Sequence, residues 1–154
     1  MKKRTLLTGI LTAGLILTVG TLPAQGASKW RSGAPKVVLG TWRTAYTHNH
    51  HYNPFSYYFR DTFTVSMTDT AGGTAMYNRH PHHLSNGSGW GANAQLHYQK
   101  LASHTYRLRS YIDVKHHRLP LIYQVTLSHH QQQLTLTRLN GVPTKLGRFY
   151  KITN

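Results

Sequence analysis

The chemistry open to this chain is that of imidazole and of fixed positive charge. It carries 12 His, 18 Lys and Arg together, only three acids (Asp61, Asp69 and Asp113) and no Cys. The histidines come in runs: His48, His50 and His51; His80, His82 and His83; and the pairs His116-His117 and His129-His130. Imidazole suits Zn²⁺, Cu²⁺ or Ni²⁺. Residues two apart on an extended segment project to the same side, so His48 with His50, and His80 with His82, are the candidate metal ligands. No acid stands near them in sequence to complete a site, their charged neighbours are positive, and a structural zinc centre takes four ligands in fixed geometry. The expectation is therefore no resident cofactor, with adventitious or weak Zn²⁺ binding at exposed loop histidines. Each imidazole titrates near pH ~6.5 unless perturbed, so the chain gains charge as its surroundings acidify.

The fixed charge points to partners. A formal charge of +15 in 154 residues attracts polyanions and anionic surfaces, and it says nothing of fold. Arg43, Arg60, Arg107, Arg109, Lys115 and Arg118 are the candidate polyanion-binding residues, with Tyr58 and Tyr111 interleaved. Basic sheet faces dotted with aromatic rings hold polyanions and single-stranded nucleic acid. Catalysis finds little to work with. Three scattered aspartates make a poor source of paired carboxylates for glycoside hydrolysis, and no Gly-x-Ser-x-Gly elbow is present. A cationic His-His-Lys site could be drawn in many ways from 12 His, and that freedom leaves the idea without content. The chain reads as a non-enzyme.

The elements that must position these residues begin with a leader. Met1-Lys2-Lys3-Arg4 is positive, residues 5–22 are apolar, and Pro23-Ala24-Gln25-Gly26-Ala27 supplies small residues. This is the pattern of a secretory signal peptide over residues 1–27; retention as an anchor is the alternative. Removing it lowers the formal charge from +15 to +12. Residues 28–34 form a polar lead containing Trp30, which either caps one end of the fold or stands exposed. Residues 35–154 then form one domain, large enough to bury a core without disulfides, and no later segment is apolar enough to span a membrane.

Within that domain the period is two. In residues 57–67, Tyr57, Phe59, Phe63, Val65 and Met67 share one face, and Tyr58, Arg60, Thr62, Thr64 and Ser66 the other. Asp61 interrupts the apolar face: either a bulge flips the register there, or Asp61 points inward and needs a partner. Further inner faces are Ala92, Ala94, Leu96 and Tyr98; Tyr106, Leu108, Ser110 and Ile112; Leu119, Leu121, Tyr123, Val125 and Leu127; and Leu134, Leu136 and Arg138. Residues 74–79 form a short strand and residues 146–152 the last one. Residues 68–73 read as a turn and residues 80–90 as a long polar loop. Pro120 implies an edge position, or a strand that starts only after it. Seven or eight short strands with turn signals between them predict an all-β antiparallel meander closed into a barrel.

The stretch Pro35-Lys36-Val37-Val38-Leu39-Gly40-Thr41-Trp42-Arg43 reads as the first strand, with Val38, Gly40, Trp42, Thr44 and Tyr46 on one face. Its Gly40-Thr41-Trp42 resembles the G-x-W that opens lipocalins and related calycin barrels, where the Trp closes one end beneath an Arg or Lys from a late strand. The resemblance implies that role for Trp42, and Arg138 is the candidate cover, able to stack on the indole and pair with Asp61; alternatively its head reaches into water. The longer string also resembles the opening of small, uncharacterised secreted proteins of lactic acid bacteria, which implies export and β structure and no catalytic residues.

The expected function is a secreted cationic barrel, free or associated with the cell surface, that binds anionic polymers: teichoic acid, acidic polysaccharide or extracellular DNA. The alternatives are a lipocalin-like carrier of a small apolar ligand, a His-based metal-binding protein, and a secreted hydrolase. Oligomeric state is not legible.

Overall fold

The structure is a computed structural model that describes residues 28–49, 57–78, 84–115 and 117–152. Apart from one 3-10 helical turn at Lys36–Val38, its elements are strands: β1 (Arg31–Ser32), β2 (Gly40–Thr44), β3 (Thr47–Asn49), β4 (Tyr57–Val65), β5 (Thr70–Asn78), β6 (Leu84–Ala102), β7 (Thr105–Val114), β8 (His117–Leu127), β9 (Gln133–Arg138) and β10 (Thr144–Lys151). They form one antiparallel sheet in the order β6-β5-β4-β2-β10-β9-β8-β7, with β1 beside β6 and β3 beside β4. The all-β expectation holds. The two strands beyond the expected eight are the short β1 and β3. The leader, residues 1–27, lies outside the described residues.

The sheet rolls until both its ends meet on β6, at different heights. Residues 84–92 of β6 pair with β5, and residues 93–102 pair with β7. The register slips between Asn93 and His97, around Gln95 at a φ of 75°, an irregularity that bends the strand. Along residues 84–92 the edge away from β5 has no strand partner among the described residues. The ladder is therefore incomplete, and the expected closed barrel is corrected to a rolled sheet open along the first half of β6.

The second correction is that residues 84–90 are strand, not loop, and that β5 begins at Thr70 rather than Thr74. Asn86-Gly87-Ser88-Gly89 has turn chemistry, but continuous pairing with β5 overrides it. Gly73 is needed there, because a Cβ at that position would stand 2.5 Å from the Ser88 carbonyl oxygen. A third correction concerns residues 36–38, which coil into the 3-10 turn, so that the strand starts only at Gly40 (φ 115°). The turn places Val38 under the indole, and the Trp42 Nε1–H donates to the Val38 carbonyl at 2.8 Å.

The core fills the other half of the roll. Trp42, Phe63, Leu96, Leu108, Val125, Leu134, Leu136 and Phe149 are all buried, and Trp42 is wholly inaccessible. All but Phe149, for whose strand no face is predicted, come from the inner face that parity predicts, and burying such a side chain stabilises by about 1.5–3 kcal/mol. Two polar groups are buried with them: the hydroxyls of Thr70 and Ser110 hydrogen-bond to each other at 3.0 Å. The ends of the expected faces fall short of the core: Met67 and Leu119 are exposed. Pro120 lies in β8 where only β7 pairs with it, since β9 reaches no further than Tyr123. On the free side the Asn140 side chain serves as partner, donating to the Pro120 carbonyl and accepting from the Ile122 N–H. The edge reading of Pro120 is right.

Candidate functional site

The outer face of β6, β7 and β8 carries the densest group of charge and rings. Alternation along β7 sends Tyr106, Leu108 and Ser110 inward, where they are buried, and Arg107, Arg109 and Tyr111 outward. In register, Arg109 stands between His97 of β6 and Ile122 of β8, and Arg107 between Gln99 and Gln124. The lead segment runs along the edge of β6 that faces away from β7. Arg31 and Ser32 pair with Tyr98 and His97, and Gln99 Nε2 donates to the Ser28 carbonyl. That strap lays Trp30 on Arg109, whose guanidinium carbon is 4.5 Å from the indole centroid and 6.0 Å from the Tyr111 ring. Arg118 covers Tyr111 at 4.6 Å. The result is a stack of ring, cation, ring and cation.

The Nε atoms of Arg107 and Arg109 are buried and have no hydrogen-bond partner among the described residues. Of the acids, Asp61 and Asp69 are placed elsewhere, and Asp113 stands opposite Arg118 in the ladder. Stacking fixes the planes of Arg109 and Arg118 and gives up little of their charge. Fork-shaped donors fixed in this way bind phosphate or carboxylate oxygens in pairs. The arrangement can hold anions in a row.

The six candidate residues do not share one patch. Arg107, Arg109 and Arg118 belong to this face, and Lys115 is exposed in the turn beyond it. Arg43 lies on β2, with three strands between it and β7 by either route around the sheet. There it stands opposite Thr62 and Tyr150. Arg60 of β4 is used locally: it donates to the Thr44 carbonyl at 3.3 Å and the Tyr46 hydroxyl at 3.1 Å, and covers the Tyr46 ring at 4.6 Å. Sequence reasoning left out Trp30, whose role depends on the strap, and His97, which alternation from Leu96 places outward.

The Gly40–Trp42 motif is covered by a different residue from the one expected. Lys151 of β10 stands opposite Trp42, with its Nζ 5.2 Å from the ring centroid. Arg138 is exposed at the end of β9, in register with Tyr123, and its proposed stack on Trp42 and pair with Asp61 are corrected. Burial pushes the Tyr123 phenol up to about 12, against the opposing pull of Arg138. Asp61 does point inward, and its partner is a hydroxyl: Thr74 Oγ1 donates to Oδ1 at 2.6 Å.

Of the candidate metal ligands, His50, His80 and His82 lie outside the described residues. His48 stacks on Tyr58, with ring centroids 4.6 Å apart. No group of three or more metal-ligating side chains is gathered among the described residues. Comparison of the chain with protein-family models, with curated proteins and with solved structures finds no match.

Proposed function

We propose that the protein is an exported, non-enzymatic binder of anionic polymers, and that the outer face of β6–β8 is its contact surface. The observation that carries this reading is the Trp30–Arg109–Tyr111–Arg118 stack, beside Arg107. Phosphate or carboxylate groups along a polymer would pair with the accessible parts of these guanidinium groups, since Arg107 and Arg109 are only half-buried and Arg118 is exposed. The secretory pattern of residues 1–27 makes teichoic acid, acidic polysaccharide or extracellular DNA the relevant partners. Such binding is largely counterion release and falls steeply with salt. Protonation of the histidines adds charge as pH falls. The finer fold reading, a calycin-like roll, rests on Gly40-Thr41-Trp42 together with Lys151 over the indole.

The test is co-sedimentation of the purified protein with bacterial cell walls, with and without teichoic acid, across a salt series at about pH 4.5 and about pH 7. The expected result is binding that needs the teichoic acid, grows at the lower pH and collapses with salt. Trp30→Ala should weaken it by freeing the Arg109 plane. Binding absent under every condition, or indifferent to salt, overturns the reading.

A further inference from the structure

The open half of the roll holds a cavity of about 210 Å³, between β4–β6 on one side and β9–β10 on the other. Its wall includes Phe63, Leu136 and Phe149, all buried, and it has a polar corner made by Asp61, Thr74 and Ser88. A second hollow shares Thr74 and Ser88 and leads past Phe59 and Met76. The volume is that of about seven waters at ~30 Å³ each, below the ~300 Å³ at which pockets for drug-sized ligands begin. Any occupant is small.

The polar corner sets its charge. Asp61 is one of three acids in a chain with 18 Lys and Arg, and among the described residues no Lys or Arg lines the cavity. Its carboxylate receives one hydrogen bond, from Thr74, and has no ion pair among the described residues. A carboxylate offers about four acceptor positions, so most of its capacity remains unfilled beside an apolar wall. Its own N–H is spent on Thr44 Oγ1 at 2.9 Å, which fixes the backbone behind it. Arg138, the base that sequence spacing placed here, is exposed at the end of β9 beyond Leu136 and does not line the cavity.

We infer that this cavity binds a small organic cation, a compact apolar body bearing a primary ammonium, with the ammonium on Asp61 and the body against Phe63, Leu136 and Phe149. Thr74 holds the carboxylate rotamer, and Ser88 offers a second acceptor. This site lies inside the roll, whereas the polyanion face lies outside it, and neither depends on the other. The net charge of +15 repels cations at the outer surface, so adsorption there does not imitate binding inside.

The test is calorimetric titration with benzylamine and with its neutral isostere benzyl alcohol. Benzylamine should bind one site at least about tenfold more tightly than the alcohol, the ratio a charge-assisted hydrogen bond supplies. Asp61→Asn should reduce the amine to the affinity of the alcohol, and Ser88→Phe, which fills the corner from an exposed strand, should abolish both. Should Asp61→Asn fail to fold, amide shifts on the unaltered protein decide: benzylamine should move Thr74, Ser88 and Gly89. Equal affinity for amine and alcohol, amine binding unchanged in Asp61→Asn, shifts confined to other residues, or no binding up to about 10 mM would each overturn the inference. None of these outcomes bears on the cell-wall experiment.

Discussion

The two halves of β6 live in different molecules, so far as their surroundings go. Residues 93–102 pair with β7; Leu96 is buried in the core, and His97 and Gln99 face a crowd of guanidinium groups and rings. Residues 84–92 pair with β5 alone, over Ala71, Gly73 and Ala75, with no Lys or Arg on either partner and a cavity on the inner side. Both halves are extended and both alternate. What separates them is closure. Where strands surround the interior, large apolar residues meet one another and fill it; where one edge is left open, the same inner positions are Asp61, Thr74 and Ser88. Charge is divided unevenly too: the filled half carries the Trp30–Arg109–Tyr111–Arg118 stack outside, whereas residues 84–92 and their β5 partners carry no Lys or Arg.

If that contrast is real, truncation should cost very different amounts on the two sides. Trp42→Ala should lose roughly 3–5 kcal/mol in urea unfolding, and Met76→Ala, on the open half, about 1 kcal/mol or less. Equal losses would mean that the open half is as tightly packed as the other. Next in size comes backbone approach within the open half. Gly73→Ala forces β5 and β6 apart and should cost about 1–3 kcal/mol. Gly91→Ala, where a Cβ meets nothing within 4 Å, should change stability by less than ~0.5 kcal/mol. A reversed order would break the account of why β5 needs Gly73.

A smaller effect belongs to the filled half. Ser110→Ala leaves the buried Thr70 hydroxyl unpaired and should cost about 1–2 kcal/mol. The subtlest is a pH slope. The Tyr123 phenol is raised from 10.0 to about 12, so between those values the folded state holds a proton that the unfolded state has released. Stability should be fully present below pH 10 and fall as pH climbs toward about 12, and Tyr123→Phe should flatten that decline. Alkaline unfolding curves of the two proteins make the comparison.

The filled half was largely legible in the sequence, because hydrophobic alternation reports burial. Phe63 and Val65, Tyr106 and Leu108, Val125 and Leu127, and Leu134 and Leu136 are all inward and buried. The open half was illegible for the same reason: Gly87-Ser88-Gly89 carries no apolar signal, and its strand exists because β5 pairs with it. Arg138 shows the limit of parity. It shares a face with Leu136, but β9 ends there and the side chain leaves the roll. Lys151 shares a face with the buried Phe149, and that parity could have placed it over Trp42. Of the candidate site, Arg107, Arg109, Arg118 and Tyr111 could be read from strand alternation. That Arg43 and Arg60 lie elsewhere follows only from strand order, and Trp30 on Arg109 only from the strap's pairing with β6.

The central claim is that binding belongs to one face and not to net charge, and charge-matched variants test it most directly. Purified teichoic acid would be titrated across a salt series with the unaltered protein, with Arg107→Gln/Arg109→Gln, and with Arg43→Gln/Arg148→Gln. All three should remain folded by circular dichroism. The account predicts that the β7 pair lowers the slope of log affinity against log salt by about one to two and weakens binding about tenfold or more, while the β2–β10 pair leaves both nearly unchanged. Equal losses from the two pairs would contradict it, and would mean that the polymer reads the charge of the whole chain.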